Sequence, residues 1–384
     1  MTKNITLSIL LAIMFIIFLG IGLVIPVLPT IMNELHISGS VVGYLTASFA
    51  LTQLIFSPVT GKLVDRLGRK VIIVVGLIVF SVSELLFGLG RATEWLFLSR
   101  ILGGLSAALV MPAVTAFIAD VTSIQTRAKA IGYMSAAIST GLIIGPGIGG
   151  FLAGFGSCVP FFAASVIALL IAVTALLALQ EPERQAKTTP GGENSSRKLL
   201  QPMFLYAFIV ILISSFGLAA FESFFSLYTN HKFGFTPFDI AVAITGGAVV
   251  GAAAQILLFE RLTRKIGEIS IVRWSIAVSI ALVVMMTVVT TYWMIMLVTF
   301  TVFIGFDLIR PAVTTYLSRI AGDEQGFVGG MNSFFTSFAN VLGPVIGGIL
   351  FDIDLNYPFY FSALVLVAAL AVTFFWHKEK PAVS

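Results

Sequence analysis

Charge is what this sequence has least of. Its 384 residues include 22 Lys and Arg and 18 Asp and Glu, a charged fraction of 10%. A soluble domain carries roughly 25%, so a water-soluble surface is excluded. The single cysteine, Cys158, excludes a disulfide within the chain and a cysteine-based metal cluster. The three histidines, His36, His231 and His377, are scattered, and no G-x-x-x-x-G-K-[ST] run is present to cradle a nucleotide phosphate. Metal chemistry, a resident cofactor and ATP-driven work are therefore not expected. What is abundant is apolar: 58% hydrophobic residues, 34 Phe, 35 Gly and a mean hydropathy of +1.05. This is the composition of a polytopic membrane protein.

Where charges are this rare, the gaps between them mark the spans, each needing about 20 apolar residues. Two gaps, 130–180 and 274–306, are too long for one helix. The first breaks at Gly154-Phe-Gly-Ser-Cys-Val-Pro160, and the second turns near Thr290-Thr-Tyr-Trp293 and continues through Asp307 and Arg310. The pattern predicts an all-α protein of twelve transmembrane helices, near 5–28, 41–60, 71–90, 95–119, 130–153, 159–179, 203–228, 238–259, 270–289, 293–316, 327–350 and 357–376. The first apolar run is too long for a secretory signal and lacks a small-residue cleavage site, so it is read as helix one.

Eighteen of the 22 basic residues fall on the side that holds both termini; Arg91 and Lys232 fall on the other, and Arg100 and Arg310 lie inside spans. The positive-inside rule then puts both termini in the cytoplasm. The formal net charge of +4 is accordingly a topology signal, and no nucleic-acid partner is expected.

The chain also repeats itself. Gly145-Pro-Gly-Ile-Gly-Gly150 matches Gly343-Pro-Val-Ile-Gly-Gly348 at an offset of 198, and Asp65-Arg-Leu-Gly-Arg-Lys70 is echoed by Glu260-Arg-Leu-Thr-Arg-Lys265. The polar stretch 181–200, rich in Pro, Gly, Ser and charge, reads as a cytoplasmic linker between a six-helix half at 1–180 and another at 201–384. Two pseudo-symmetric halves around a midplane cavity suit alternating access by rocking.

Several segments have the texture of function. In helix five, Gly141, Gly145 and Gly149 recur every four residues beside Pro146, the small-xxx-small pattern that lets another helix approach closely. The G-x-G-x-x-G formed by Gly145, Gly147 and Gly150 is not a dinucleotide fingerprint, because it lies inside an apolar span with no preceding strand. In the basic loop after helix two, Gly61, Asp65, Arg66, Gly68 and Arg69 surround a lone acid that does nothing for topology; it should pair with a cation or cap a helix.

Five ionisable residues lie within spans: Glu84, Arg100, Glu222, Asp307 and Arg310. Each costs at least about 2.5–3.5 kcal/mol at the bilayer centre unless a partner or a water-filled cavity offsets it. Glu84 sits late in helix three and is expected to reach the outer interface. Arg100, beside Ser99, Gly103 and Gly104, either bonds helix carbonyls or senses substrate or proton state. Glu222 has no cation within a helical turn, and since protonation removes the cost of a buried carboxylate, it is a proton-carrier candidate. Asp307 and Arg310, spaced i,i+3 before Pro311, share a helix face and can pair. Phe221, Phe303 and Phe306 adjoin these acids and could offer flat walls to lipophilic cations, worth about 0.5–2 kcal/mol per cation–π contact.

The loop Gly61-Lys-Leu-Val-Asp-Arg-Leu-Gly-Arg-Lys70, Ser99-Arg-Ile-Leu-Gly-Gly104 and Gly141-Leu-Ile-Ile-Gly-Pro-Gly-Ile-Gly-Gly150 resemble the signatures of the major facilitator superfamily, the last resembling its antiporter motif. With Gly20-Ile-Gly-Leu-Val-Ile-Pro-Val-Leu-Pro29, Ile131-Gly-Tyr-Met-Ser-Ala136, Phe221-Glu-Ser223 and Gly305-Phe-Asp-Leu-Ile-Arg-Pro311, nearly the whole chain is similar to the drug:proton antiporters of the NorA/Bmr type. The resemblance implies a major facilitator fold and a monomer in the bacterial plasma membrane. It implies export of amphipathic or cationic drugs, quinolones and dyes among them, driven by a proton gradient. It further implies that the helix-five bend limits leak, that Asp65 latches the two halves in the outward-facing state, and that Arg100 senses substrate or proton state. Some such antiporters carry an acid in helix one; residues 5–28 have none, which leaves coupling to Glu222 and Asp307.

Two alternatives remain. A dedicated transporter of one metabolite or sugar is disfavoured by Phe-rich, amide-poor helices. A channel or non-transporting receptor is disfavoured by the buried acids, the repeat and the absence of a charged pore ring.

Overall fold

The computed structural model describes residues 3–181, 202–321 and 325–376. Among these it forms thirteen helices: α1 (Lys3–Leu23), α2 (Leu28–Leu35), α3 (Gly39–Leu67), α4 (Arg69–Leu89), α5 (Thr93–Val121), α6 (Ile124–Ala153), α7 (Val159–Ala178), α8 (Pro202–Phe233), α9 (Pro237–Ile266), α10 (Glu268–Val288), α11 (Tyr292–Ala321), α12 (Gln325–Ile353) and α13 (Tyr357–Phe375). All except α2 are long and apolar enough to cross a membrane, giving twelve candidate spans. The expected linker at 181–200 lies outside the described residues apart from Glu181.

The first span stops earlier than its apolar run suggests. Pro26 has no N–H to give the Gly22 carbonyl, and α1 ends at Leu23; Pro29 then occupies the first turn of a short second helix, α2. Other helices run past their apolar windows. α3 continues through Lys62, Asp65 and Arg66 to Leu67, and α9 through Glu260, Arg261, Arg264 and Lys265 to Ile266. Helices α6, α11 and α12 pass through Pro146, Pro311 and Pro344 without interruption.

The chain divides into two compact units. The first contains α1 to α7 with residues 229–245, and the second contains residues 202–228 of α8, α9 from Gly246, and α10 to α13. In the first unit Leu10, Ile17, Phe80, Val110 and Phe117 pack into a core no more than 1% exposed. Serine pairs stitch its helices: the hydroxyls of Ser81 and Ser165 each donate to the other's carbonyl at 2.8 Å, and Ser83 and Ser99 do the same at 2.8 and 2.9 Å. Without water, such reciprocal bonds satisfy polar groups that would otherwise be costly in the span. The core of the second unit is aromatic, with Phe221, Phe224, Tyr228 and Phe359 all within 1% of complete burial.

The repeat has a packing counterpart in each unit. A Cβ at Gly141, Gly145 or Gly149 would lie 2.6, 2.6 or 2.5 Å from the carbonyl oxygens of Phe15, Leu19 and Leu23, so α6 rests directly on the α1 backbone. In the second unit a Cβ at Gly343 would be 3.0 Å from the Phe216 carbonyl, and one at Gly347 would be 2.8 Å from the Phe224 ring, so α12 rests on α8 in the same manner.

Candidate functional site

In the second unit, α8 places Phe221 in the core and Glu222, the next residue, on an exposed face. The Phe221 ring packs against Phe225, Phe306 and Phe359 at centroid distances of 5.8, 5.5 and 5.8 Å. Phe306 directly precedes Asp307 on α11, so the ring contact joins α8 to α11 at positions adjacent to the two acids. Asp307 is half-buried and Arg310 exposed.

The pairing expected from the i,i+3 spacing is different in detail. Among the described residues no ion pair joins Asp307 to Arg310. Asp307 turns against Gly251 of α9, where an added Cβ would overlap its carboxylate, while Arg310 stays exposed. One turn earlier, Phe303 lies against Gly247, where a Cβ would come 2.5 Å from its ring. The i,i+4 pair Gly247 and Gly251 thus forms a slot for the i,i+4 pair Phe303 and Asp307. That slot was readable as G-x-x-x-G within the span, but its occupant was not.

The three aromatic residues expected as ligand walls are core side chains here: Phe221, Phe303 and Phe306 are 1%, 8% and 4% exposed. In this structure they fix the spacing of α8, α9 and α11 and so position the acids beside them.

The first unit holds a second buried charge pair. Glu84, expected at the interface, is 1% exposed, and its carboxylate lies 3.4 Å from the Arg100 guanidinium. Reciprocal bonds between Ser83 and Ser99 hold α4 and α5 at the register that aligns the following residues, so Glu84 cannot leave for the surface. The guanidinium also lies 4.3 Å from the centre of the Phe87 ring. Arg100 thus faces an acid and a ring on α4 and not helix carbonyls, and its buried Nε has no hydrogen-bond partner among the described residues.

At the basic loop, Arg69 pairs with Asp65 at 3.7 Å and with Asp120 of α5 at 2.8 Å, so the lone loop acid does find a cation. Arg66 is exposed, and Gly61 has open space around it. Gly68 has φ of 100°, a left-handed value that suits glycine, and turns the chain so that the Arg69 and Lys70 N–H groups point at Glu181. They donate to its carboxylate at 2.6 and 2.8 Å, capping α4 with a residue 111 or more positions away. Asp120 and Glu181 were missed by the sequence reading because their roles depend on which helices end together. Gly150 faces α9, a Cβ there lying 2.5 Å from the Pro237 carbonyl.

Comparison with known proteins identifies the family and the fold. A family model for the Major Facilitator Superfamily matches residues 10–319 and 207–384. The chain is 62% identical over 376 residues to Multidrug resistance protein 1 of Bacillus subtilis, covering 97% of both chains. It is 46% identical over 362 residues to Quinolone resistance protein NorA of Staphylococcus aureus, covering 93% of both. Among solved structures, a bacterial homologue of the human lysosomal transporter Spinster, inward-facing and occupied, superposes with a TM-score of 0.84 at 19% identity over 99% of both chains. The nucleoside transporter NupG gives 0.81 at 13% identity over 99% of this chain and 100% of that one.

Proposed function

Because the chain belongs to the major facilitator superfamily, we propose that it is a secondary transporter, not an enzyme, that exports diverse amphipathic and cationic drugs from a bacterial cytoplasm in exchange for protons. Quinolones fall within that substrate class, as the name of one relative suggests, and cationic dyes fit it by charge and flat apolar rings. The observation that carries the reading is the Phe221–Phe306 ring contact between α8 and α11, beside which the chain sets Glu222 on one helix and Asp307 and Arg310 on the other.

A carboxylate in a membrane span is costly when charged and uncompensated, and either a proton or a bound cation removes that cost. Glu222 and Asp307 therefore exchange one for the other: deprotonated, they accept a cationic drug from the cytoplasm, and protonated, they release it outside. Arg310 competes with the drug for the same negative charge and keeps the empty acids from attracting small cations. The energy source is the proton gradient, with no cofactor.

In this reading the protein is a monomer of the plasma membrane with cytoplasmic termini. The two six-helix halves read from the sequence, 1–180 and 201–384, are the parts that alternating access requires. The tight helix-five bend at Gly141, Gly145, Pro146, Gly149 and Gly150 limits leak, and Asp65 latches the outward-facing state.

The test is dye movement in everted membrane vesicles. Dye should accumulate when the lumen is made acid and should leave when a protonophore is added. Accumulation that ignores the protonophore would remove the proton coupling, and no accumulation in well-expressed vesicles would remove the export reading.

A further inference from the structure

At the end of the first unit opposite the basic loops, a cavity of about 580 Å³ opens between the end of α2, the α4–α5 turn and the α6–α7 turn. Its size falls within the roughly 300–1,000 Å³ of small-molecule sites. Leu35 and Val159, both half-buried, form its apolar side. Behind that side Phe87 and Phe161 are core side chains at most 3% exposed, packed with ring centroids 4.6 Å apart.

Two opposite charges line the same cavity. Glu34 is exposed and accepts a 3.1 Å hydrogen bond from the Ser157 hydroxyl, which aims its carboxylate; Arg91 is exposed as well. Among the described residues neither takes part in an ion pair. The cavity thus presents an acceptor for a cation, a donor set for an anion and an apolar side, with the two charges left available.

We propose that this cavity is a second ligand site, for an amphipath carrying both a protonated amine and a carboxylate. The amine goes to Glu34, the carboxylate to Arg91 and the apolar body to the side formed by Leu35 and Val159. The site differs from the Glu222 and Asp307 pair, which belongs to the other unit, and it depends on the export reading only for the choice of probe.

Cys158 lines the cavity and is the one cysteine in the sequence, so the native protein carries its own reporter. The experiment measures alkylation of Cys158 by a charged maleimide in the detergent-purified full chain while a piperazinyl quinolone, zwitterionic at pH 7, is titrated in. Alkylation should slow, and the quinolone's methyl ester and N-acetyl derivatives, each with one charge removed, should protect about tenfold less well, as should the zwitterion on Glu34→Gln or Arg91→Gln.

Protection should survive Glu222→Gln, and if dye export fails in vesicles while protection persists, the export reading falls and this site stands. No slowing at saturation, equal protection by the singly charged derivatives, indifference to both rim variants, or loss of protection in Glu222→Gln would each overturn the proposal. Slowing in phosphatidylethanolamine nanodiscs without quinolone would assign the cavity to a lipid headgroup and overturn it too.

Discussion

At Gly251 the missing side chain is as informative as any that is present, because the space a Cβ would fill is taken by the Asp307 carboxylate. Overpacking a tight contact costs about 1–3 kcal/mol, and here the cheapest relief is to push the acid out of its slot. Gly251→Ala should therefore insert and express normally yet lose gradient-driven dye accumulation, measured in everted vesicles beside Asp307→Asn as reference. Wild-type accumulation by Gly251→Ala would show that the position of Asp307 is immaterial. The residue scale is also where the sequence was most and least legible. Charges inside apolar runs announced Glu222, Asp307, Arg310, Arg100 and Glu84 directly, since nothing else in a span is so costly. Their partners were hidden, because partnership depends on the facing of helices. Glu84 and Arg100 are 16 positions apart and meet only because Ser83 and Ser99 set the register of α4 against α5.

Helix boundaries separate two signals that a hydropathy pattern merges. The membrane ends where charge begins, but the helix ends only where its hydrogen bonding is broken, which is why α3 passes Lys62, Asp65 and Arg66 and stops at Gly68. For the same reason α1 stops short of its apolar run, at the proline-rich turn before α2. The start of α4 depends on a cap from a distant element, and its loss should be measurable. Glu181→Gln leaves one amide oxygen where two charged oxygens accept the Arg69 and Lys70 N–H groups, a change of about 0.5–2 kcal/mol on the scale of other helix caps. The expected outcome is a thermal midpoint in detergent lowered by about 1–4 °C, with a smaller change in Asp239→Asn, whose cap at Thr236 is local and exposed. An unchanged midpoint in Glu181→Gln would leave the long-range cap without energetic weight. Where α6 lies on α1, Gly145→Val would set carbon atoms against the Leu19 carbonyl and the Gly22 backbone. Transport should be abolished while membrane insertion is retained; normal efflux from a well-expressed variant would show that this close approach is dispensable.

For the whole molecule, the offset of 198 between the two glycine-rich texts anticipated that α6 on α1 and α12 on α8 would be built alike, because identical small residues permit the same backbone approach in either unit. The chemistry laid on this repeat is not symmetrical. The first unit carries a tight Glu84–Arg100 pair, 3.4 Å apart and buried, whereas the second leaves Glu222 and Arg310 exposed and Asp307 half-buried. The proton exchange proposed above would fall to the second unit, whose two acids would each take a proton. That number matters for the energy source. Exchange of one proton for one monovalent cation moves no net charge, so the membrane potential, worth about 2.3 kcal/mol per 100 mV per charge, would be unused. With two protons inward for one cation outward, one positive charge enters per cycle, and a potential negative inside drives export. At about 1.4 kcal/mol per decade, 100 mV then sustains roughly a fortyfold concentration ratio. Proteoliposomes with a valinomycin-set potassium potential and equal pH on both sides should therefore export a cationic dye from the negative compartment, at a rate that rises with the potential. Glu222→Gln and Asp307→Asn should each abolish uphill movement, because neither acid can carry the second proton for the other. Export indifferent to the potential would exclude the two-proton exchange, and either single variant concentrating dye normally would remove that residue from the coupling pair.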